Sequence, residues 1–153
     1  MGTVASIYRI PKSKIQDLKE DVLAKEKVNS QMIYLDKLWE PVLFIFGNGF
    51  LGREPFVKIF MPKNNLKLSE EQEKIGRAIK YHDKVEIEEI ETAISEIGKT
   101  TIEERFDVEK INKTVMYQIQ EDDKEILINH CLEIKELFRK AKEEDDIVVC
   151  SPG

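Results

Sequence analysis

His82 and His130, with Cys131, Cys150 and an excess of carboxylates, are the groups through which this chain could do chemistry. His130 and Glu133 share the i, i+3 spacing that puts a carboxylate and an imidazole on one helix face, as in bundle metal centres. No matching Glu-x-x-His segment accompanies them, and such a centre needs one. The cysteines lack the Cys-x-x-Cys spacing of a metal knuckle or redox pair. Cys131 also falls mid-helix on an apolar stripe, where a thiolate would be desolvated and inert. No Gly-x-Ser-x-Gly segment offers a nucleophile. Acids that would work as a pair are not marked by spacing, because their pKa values are set by the pocket around them. No catalytic residue, metal ligand or cofactor is assigned, and the reading leans away from an enzyme.

One motif does suggest a ligand. Gly47-Asn48-Gly49-Phe50-Leu51-Gly52 satisfies the dinucleotide pattern, which needs a preceding strand and a helix opening at the glycines so that backbone N–H groups face a pyrophosphate. Here Arg53-Glu54-Pro55 leads into Glu54 to Met61, whose Phe56, Val57, Ile59 and Phe60 predict a strand, and Pro55 keeps Glu54 out of the helical region. A kinase Gly-rich loop wants Val where Glu54 stands. Gly47 is therefore read as a helix C-cap, followed by an Asn-Gly turn.

Composition bounds the rest. At 153 residues and 41% hydrophobic content, the chain is read as one domain, 1–153, with one core. Its 24 basic and 30 acidic residues give a net charge of -6, which disfavours nucleic acid as a partner. The longest apolar run, Val42 to Phe46, is far short of the ~20 residues that span a bilayer, and no secretory pattern opens the chain. The expectation is a soluble, cytoplasmic protein with no membrane partner and two reduced, buried cysteines. Met1-Gly2-Thr3-Val4-Ala5-Ser6 fits a myristoylation pattern. It is rejected because Val4, Ala5, Ile7, Tyr8 and Ile10 make a first strand, and one acyl chain without a polybasic neighbour binds membranes only marginally.

The elements follow from periodicity and caps. Ile15, Leu18 and Val22 predict a helix over Lys12 to Ala24, and Met32 to Leu35 a strand. Pro62, Asn64 and Asn65 read as turn formers. Ser69 with Gln72, and Asp83 with Glu86, read as capping boxes, the second opening a helix that Gly98 ends in the left-handed region. Thr101 with Glu104, then Asp107 before Val108 and Ile111, predict two short helices. Leu127, Cys131, Ile134, Phe138 and Ala141 mark one face of a helix from Asp123 to Glu144, broken by Asp146. Ile147 to Cys150 predicts an internal strand. The fold class is α+β: a small mixed sheet packed against several helices, with a long C-terminal helix followed by a final strand.

These residues also carry a likeness. Leu35-Asp36-Lys37-Leu38-Trp39, with the apolar helix ending at Gly47, resembles the Asp-Lys-x-Trp segment of the YfbM-like family of uncharacterised bacterial proteins. Tyr8-Arg9-Ile10, Ile79-Lys80-Tyr81, Arg105-Phe106-Asp107 and the terminal helix and strand agree in order, so the resemblance spans nearly the whole chain. Family members often carry histidines in the Trp-containing helix. This chain has Glu40 and Pro41 there, so no chemistry of those histidines carries over. If Asp36 caps this helix, Pro41 falls past its first turn at a cost of ~3 kcal/mol. The helix is therefore expected to begin again at Pro41, leaving Asp36 at a bend, capping N–H groups or paired with Lys37 or Arg9.

Two functional expectations result. The leading one is a small acidic protein-interaction module without catalytic activity. In this reading Glu70, Glu71, Glu73 and the run Glu143 to Asp146 steer a basic protein partner. The alternative is a small-molecule-binding protein or hydrolase-type enzyme with a cleft near Asp36, Trp39, Asp107 and Tyr117.

Overall fold

The run Ile147 to Cys150 lies at the centre of the sheet, as four consecutive apolar residues require when both faces are covered. The computed structural model describes residues 5–152. The Met1 to Val4 part of the myristoylation pattern lies outside them. Five strands, β1 (Ala5–Ile10), β2 (Gln31–Asp36), β3 (Asn64–Asn65), β4 (Lys80–His82) and β5 (Ile147–Pro152), stand in the order β2-β1-β5-β4-β3. The sheet was expected to be mixed, but every pairing in it is antiparallel. β1 pairs with β5 along its length, from Ala5 opposite Pro152 to Ile10 opposite Ile147.

Alternation along the strands makes two cores of unequal size. One face carries Ile7, Ile33, Leu35 and Val148 and packs on the helices α3 (Trp39–Phe46), α5 (Lys84–Ser95) and α8 (Lys124–Glu144). On α8, Leu127, Cys131, Ile134, Phe138 and Ala141 are all buried, as their alternating steps of four and three demand. The other face carries Tyr8, Ile10, Ile147 and Val149 under Leu18, Val22, Leu68 and Ile79.

Several local expectations are corrected. The Lys12 to Ala24 segment is not one helix: α1 (Ile15–Glu20) stops at Asp21, whose extended backbone and side chain cap a 3-10 turn, Val22–Ala24, before α2 (Lys25–Val28). Glu54 to Met61 is not a strand but holds a 3-10 helix, Phe56–Phe60. Phe56, Ile59 and Phe60 recur at helical spacing, and only Ile59 is fully enclosed. Asn64 and Asn65 form β3 rather than a turn. Gly98 has φ -80 and is the N-cap of α6 (Lys99–Glu104), so it supplies no left-handed stop. Helix α3 starts at Trp39 and does not restart at Pro41. Pro41 lies in its first turn, where a missing N–H costs no helical bond. α8 closes at Asp145, left-handed at φ 59, one residue ahead of Asp146. The caps predicted at Ser69, Asp83 and Asp107 do form, opening α4 (Glu70–Lys74), α5 and α7 (Val108–Asn112).

Candidate functional site

The four residues singled out by the alternative reading, Asp36, Trp39, Asp107 and Tyr117, stand at the end of β2, the start of α3, the N-terminus of α7 and the loop after α7. Asp36 ends β2 with φ 52 and is exposed. Next to it, Lys37 Nζ stands 5.1 Å from the centre of the half-exposed Tyr117 ring, and Glu40 Oε1 accepts from Met116 N at 3.2 Å. The start of α3 is thus tied to the loop after α7. Trp39 packs against the larger core with its ring edge-on to Phe60, 6.2 Å between centres. Asp107 accepts from Lys110 N at 3.1 Å as the cap of α7. Among the described residues no hydrogen bond or ion pair joins Asp36, Asp107 and Tyr117, and none of the four lines the two cavities described below. Arg9 does not reach Asp36. Its Nη1 lies 2.7 Å from both Glu144 and Asp146.

The histidines and Cys131 are built into the packing, whereas Cys150, expected to be buried as well, is half-buried. His82 on β4 is fully buried, and its Nε2–H donates to the Ile59 carbonyl at 3.0 Å. Cys150 Sγ donates to the same oxygen at 3.1 Å. Asn64 Nδ2 donates to Glu86 Oε1, which lies 3.5 Å from His82 Nδ1. Burial lowers the His82 pKa more than Ile59 and Glu86 raise it, so the ring is neutral, with its proton on Nε2. Burial, then the charge of Glu86, pushes the Cys150 thiol up, and burial does the same at Cys131. Both thiols stay protonated and unreactive. His130 Nδ1 lies 3.6 Å from Glu133 Oε1 with no hydrogen bond, and burial lowers its pKa more than Glu133 raises it. Among the described residues no three His, Cys, Asp or Glu side chains gather as metal donors.

Two depressions lie on the thinly covered sheet face. The segment from Lys12 to Val28 buries Leu18 and Val22 there but leaves Leu23, Met32 and Tyr34 about half exposed. A depression of about 500 Å³ lies among Tyr8, Leu23, Lys25, Met32 and Tyr34. A second, of about 460 Å³, opens among Val22, Lys25, Phe60, Ile79, Lys80 and Val149. Lys25 and Ser151 border both. Tyr8 Oη donates to Glu26 Oε1 at 2.5 Å; burial first and this bond second push the Tyr8 pKa up to about 12. Composition gave no signal for either cavity. The alternation of Met32 and Tyr34 on a strand was the one visible clue.

The two acidic tracts differ. Glu143 pairs with Arg139, Glu144 and Asp146 with Arg9, and Asp145 with Lys12, so the C-terminal run is matched by cations within the fold. Glu70, Glu71 and Glu73 on α4 form no ion pair among the described residues and are exposed.

Comparison with known proteins agrees with the fold. A family model described as a domain of unknown function, DUF1877, matches residues 1–151. No curated protein matches. The structure is similar to that of YfbM from Escherichia coli, a protein of unknown function, with a TM-score of 0.59 at 12% identity over 97% of this chain and 98% of that one. Among the described residues no helix is long and apolar enough to cross a membrane.

Proposed function

The chain belongs to the DUF1877 family, and from that premise we propose that it is a protein-interaction module that adds an extended segment of a partner along the outer edge of β2. The observation that carries this reading is the state of that edge. Among the described residues β2 pairs only with β1, and its Met32 and Tyr34 stand exposed on one face beside Leu23 and the 500 Å³ depression. Edge strands are usually blunted by Pro, by inward charges or by a bulge. The stretch Met32-Ile33-Tyr34-Leu35 carries no Pro and no charge, and the irregularity in its pairing with β1 falls at the far end, opposite Ala5 and Ser6. A partner strand would take main-chain hydrogen bonds from β2 and place alternate apolar side chains over Met32 and Tyr34. The unpaired carboxylates of Glu70, Glu71 and Glu73 favour a segment flanked by Lys or Arg through long-range attraction. A binding role also suits thiols that stay protonated and a His82 ring enclosed away from solvent.

Affinity capture from a native lysate with wild type and Tyr34→Lys, at low and high salt, tests the proposal. A partner held by wild type, lost by the variant and weakened by salt supports it. Identical capture by both proteins defeats it. Sedimentation that shows a dimer for wild type and a monomer for the variant would assign the edge to a second copy and also defeat it.

A further inference from the structure

We propose that the 460 Å³ pocket where β4 and β5 part is a binding site for a small organic monoanion with an apolar body, such as an aryl or branched-chain carboxylate. β5 stays paired with β1 as far as Pro152, whereas its pairing with β4 is confined to Tyr81 opposite Val149 and His82 opposite Val148. The β4–β5 pairing ends at Val149, and the pocket beside it is lined by Val22, Phe60, Pro62, Ile79 and Val149. Backbone groups alternate in direction along a strand, so one of Cys150 and Ser151 turns its N–H and C=O toward this pocket and away from β1. Apolar walls with a few convergent polar groups at this volume are the usual form of a small-molecule site.

The charge of the lining selects the ligand. Among the described residues, Lys25 and Lys80 are its only ionisable side chains apart from the protonated thiol of Cys150, and no Asp or Glu borders it. The lysines engaged in ion pairs are Lys12, Lys58, Lys113, Lys140 and Lys142, so neither pocket lysine is neutralised by a carboxylate among the described residues. In a chain of net charge -6, Lys80 and Lys25, whose Nζ also donates to the Val22 carbonyl at 3.5 Å and stands 5.9 Å from the centre of the Tyr8 ring, give this apolar cavity a local positive field. A carboxylate placed between them gains charge-assisted hydrogen bonds that a neutral or cationic analogue does not. This site is separate from the β2 edge, although Lys25 stands between the two depressions, and it holds whether or not a strand adds to β2.

Titration of the full chain with 3-phenylpropionate, its neutral amide and 3-phenylpropylammonium, followed by amide chemical shifts and calorimetry, tests the assignment. Saturable binding of the acid is expected, with the amide weaker by about tenfold or more, the ammonium not binding, and shifts centred on Ile79, Lys80, Cys150 and Ser151. Lys25→Gln with Lys80→Gln is expected to weaken the acid by about tenfold while leaving the amide unchanged. The comparison of acid with amide is made on the wild-type protein and does not depend on how the double variant folds. Equal binding of acid and amide, shifts elsewhere, an unaffected double variant, or no saturable binding of the acid up to about 10 mM each overturns the proposal. Tyr34→Lys leaves this pocket intact, so failure here is distinguishable from failure at the edge.

Discussion

His82 Nδ1 faces Glu86 Oε1 at 3.5 Å inside the protein, and neither that nitrogen nor Glu86 Oε2 has a hydrogen-bond partner in the structure. The other ring nitrogen is committed to Ile59, and burial, which lowers the pKa more than Ile59 and Glu86 raise it, holds the imidazole neutral. A histidine whose folded pKa lies below its unfolded value, about 6.5, takes up its proton more readily once the chain unfolds. Its contribution to stability is complete above that pH and is lost as pH falls below it. His130 is shifted the same way by burial. Urea unfolding measured from pH 7.5 down to about 5 should therefore give a falling free energy, and the His82 ring protons should not titrate near pH 6.5. A normal titration of His82 in the folded state would contradict the lowered pKa, and with it the neutral ring.

The three glycines of the nucleotide-like motif divide by role. A Cβ on Gly47 would meet the carbonyl oxygens of Phe50 at 2.1 Å and Leu43 at 2.9 Å, although its φ of -82 suits any residue. Gly49 has φ +96 with open space around it, and Gly52 has neither constraint. Gly47→Ala should thus destabilise by about 1–3 kcal/mol through forced backbone movement. Gly52→Ala should be neutral or stabilising by about 0.4–1 kcal/mol, because it restricts only the unfolded chain. Equal effects at the two positions in thermal unfolding would show that the motif acts as a unit. The glycines lie between α3 and the 3-10 turn at Phe56–Phe60, not at the strand-to-helix junction that a pyrophosphate needs.

That motif shows what local pattern can and cannot say. The caps at Ser69, Asp83 and Asp107 were legible because each is a side chain bonding a backbone N–H three residues on, a relation contained in the sequence. The α8 stripe was legible because one long helix samples its period many times. Phe56 to Phe60 was misread because its aromatic and β-branched composition mimics a strand, while a single turn offers one repeat of the helical spacing. The cavities were invisible for a different reason. They exist where β4 leaves β5 and where the Lys12 to Val28 segment stops short of β2, and both are tertiary events. Asp107 was picked from its place in a family-like motif and was also read as a cap, and its carboxylate caps α7.

Arg9 is buried under the end of α8, where it holds the buried Asp146 and the more exposed Glu144. Burial raises the Asp146 pKa, Arg9 opposes this, and Glu144 and Asp145 add to it. Removing the guanidinium leaves a carboxylate enclosed without its cation, so Arg9→Met should cost about 3–5 kcal/mol in urea unfolding. Asp146→Leu added to Arg9→Met should restore a large part of that loss, since the stranded charge is gone. A double variant no more stable than Arg9→Met would mean that the pair contributes through geometry at the turn and not through charge.

Arg105 gives a stricter test of whether the Arg105-Phe106-Asp107 segment is structural. Its Nη1 donates to the carbonyls of Ile45 at 2.8 Å and Phe46 at 3.1 Å, the last two of α3, of which Ile45 also accepts from Asn48 N at 3.3 Å. A guanidinium there also faces the negative end of the helix dipole. Burial, and then the charge of Arg53, lowers its pKa without bringing deprotonation within reach of neutral pH. Arg105→Met keeps the apolar stem and removes both bonds, so it should destabilise by about 1–3 kcal/mol. Arg105→Lys should recover only part of this, because one ammonium on a flexible stem holds two carbonyls less well than a planar fork. If capture of the partner and binding of 3-phenylpropionate are unchanged in Arg105→Met at a temperature where it stays folded, the segment serves the fold. Loss of either with the structure intact would instead place Arg105 in a working site.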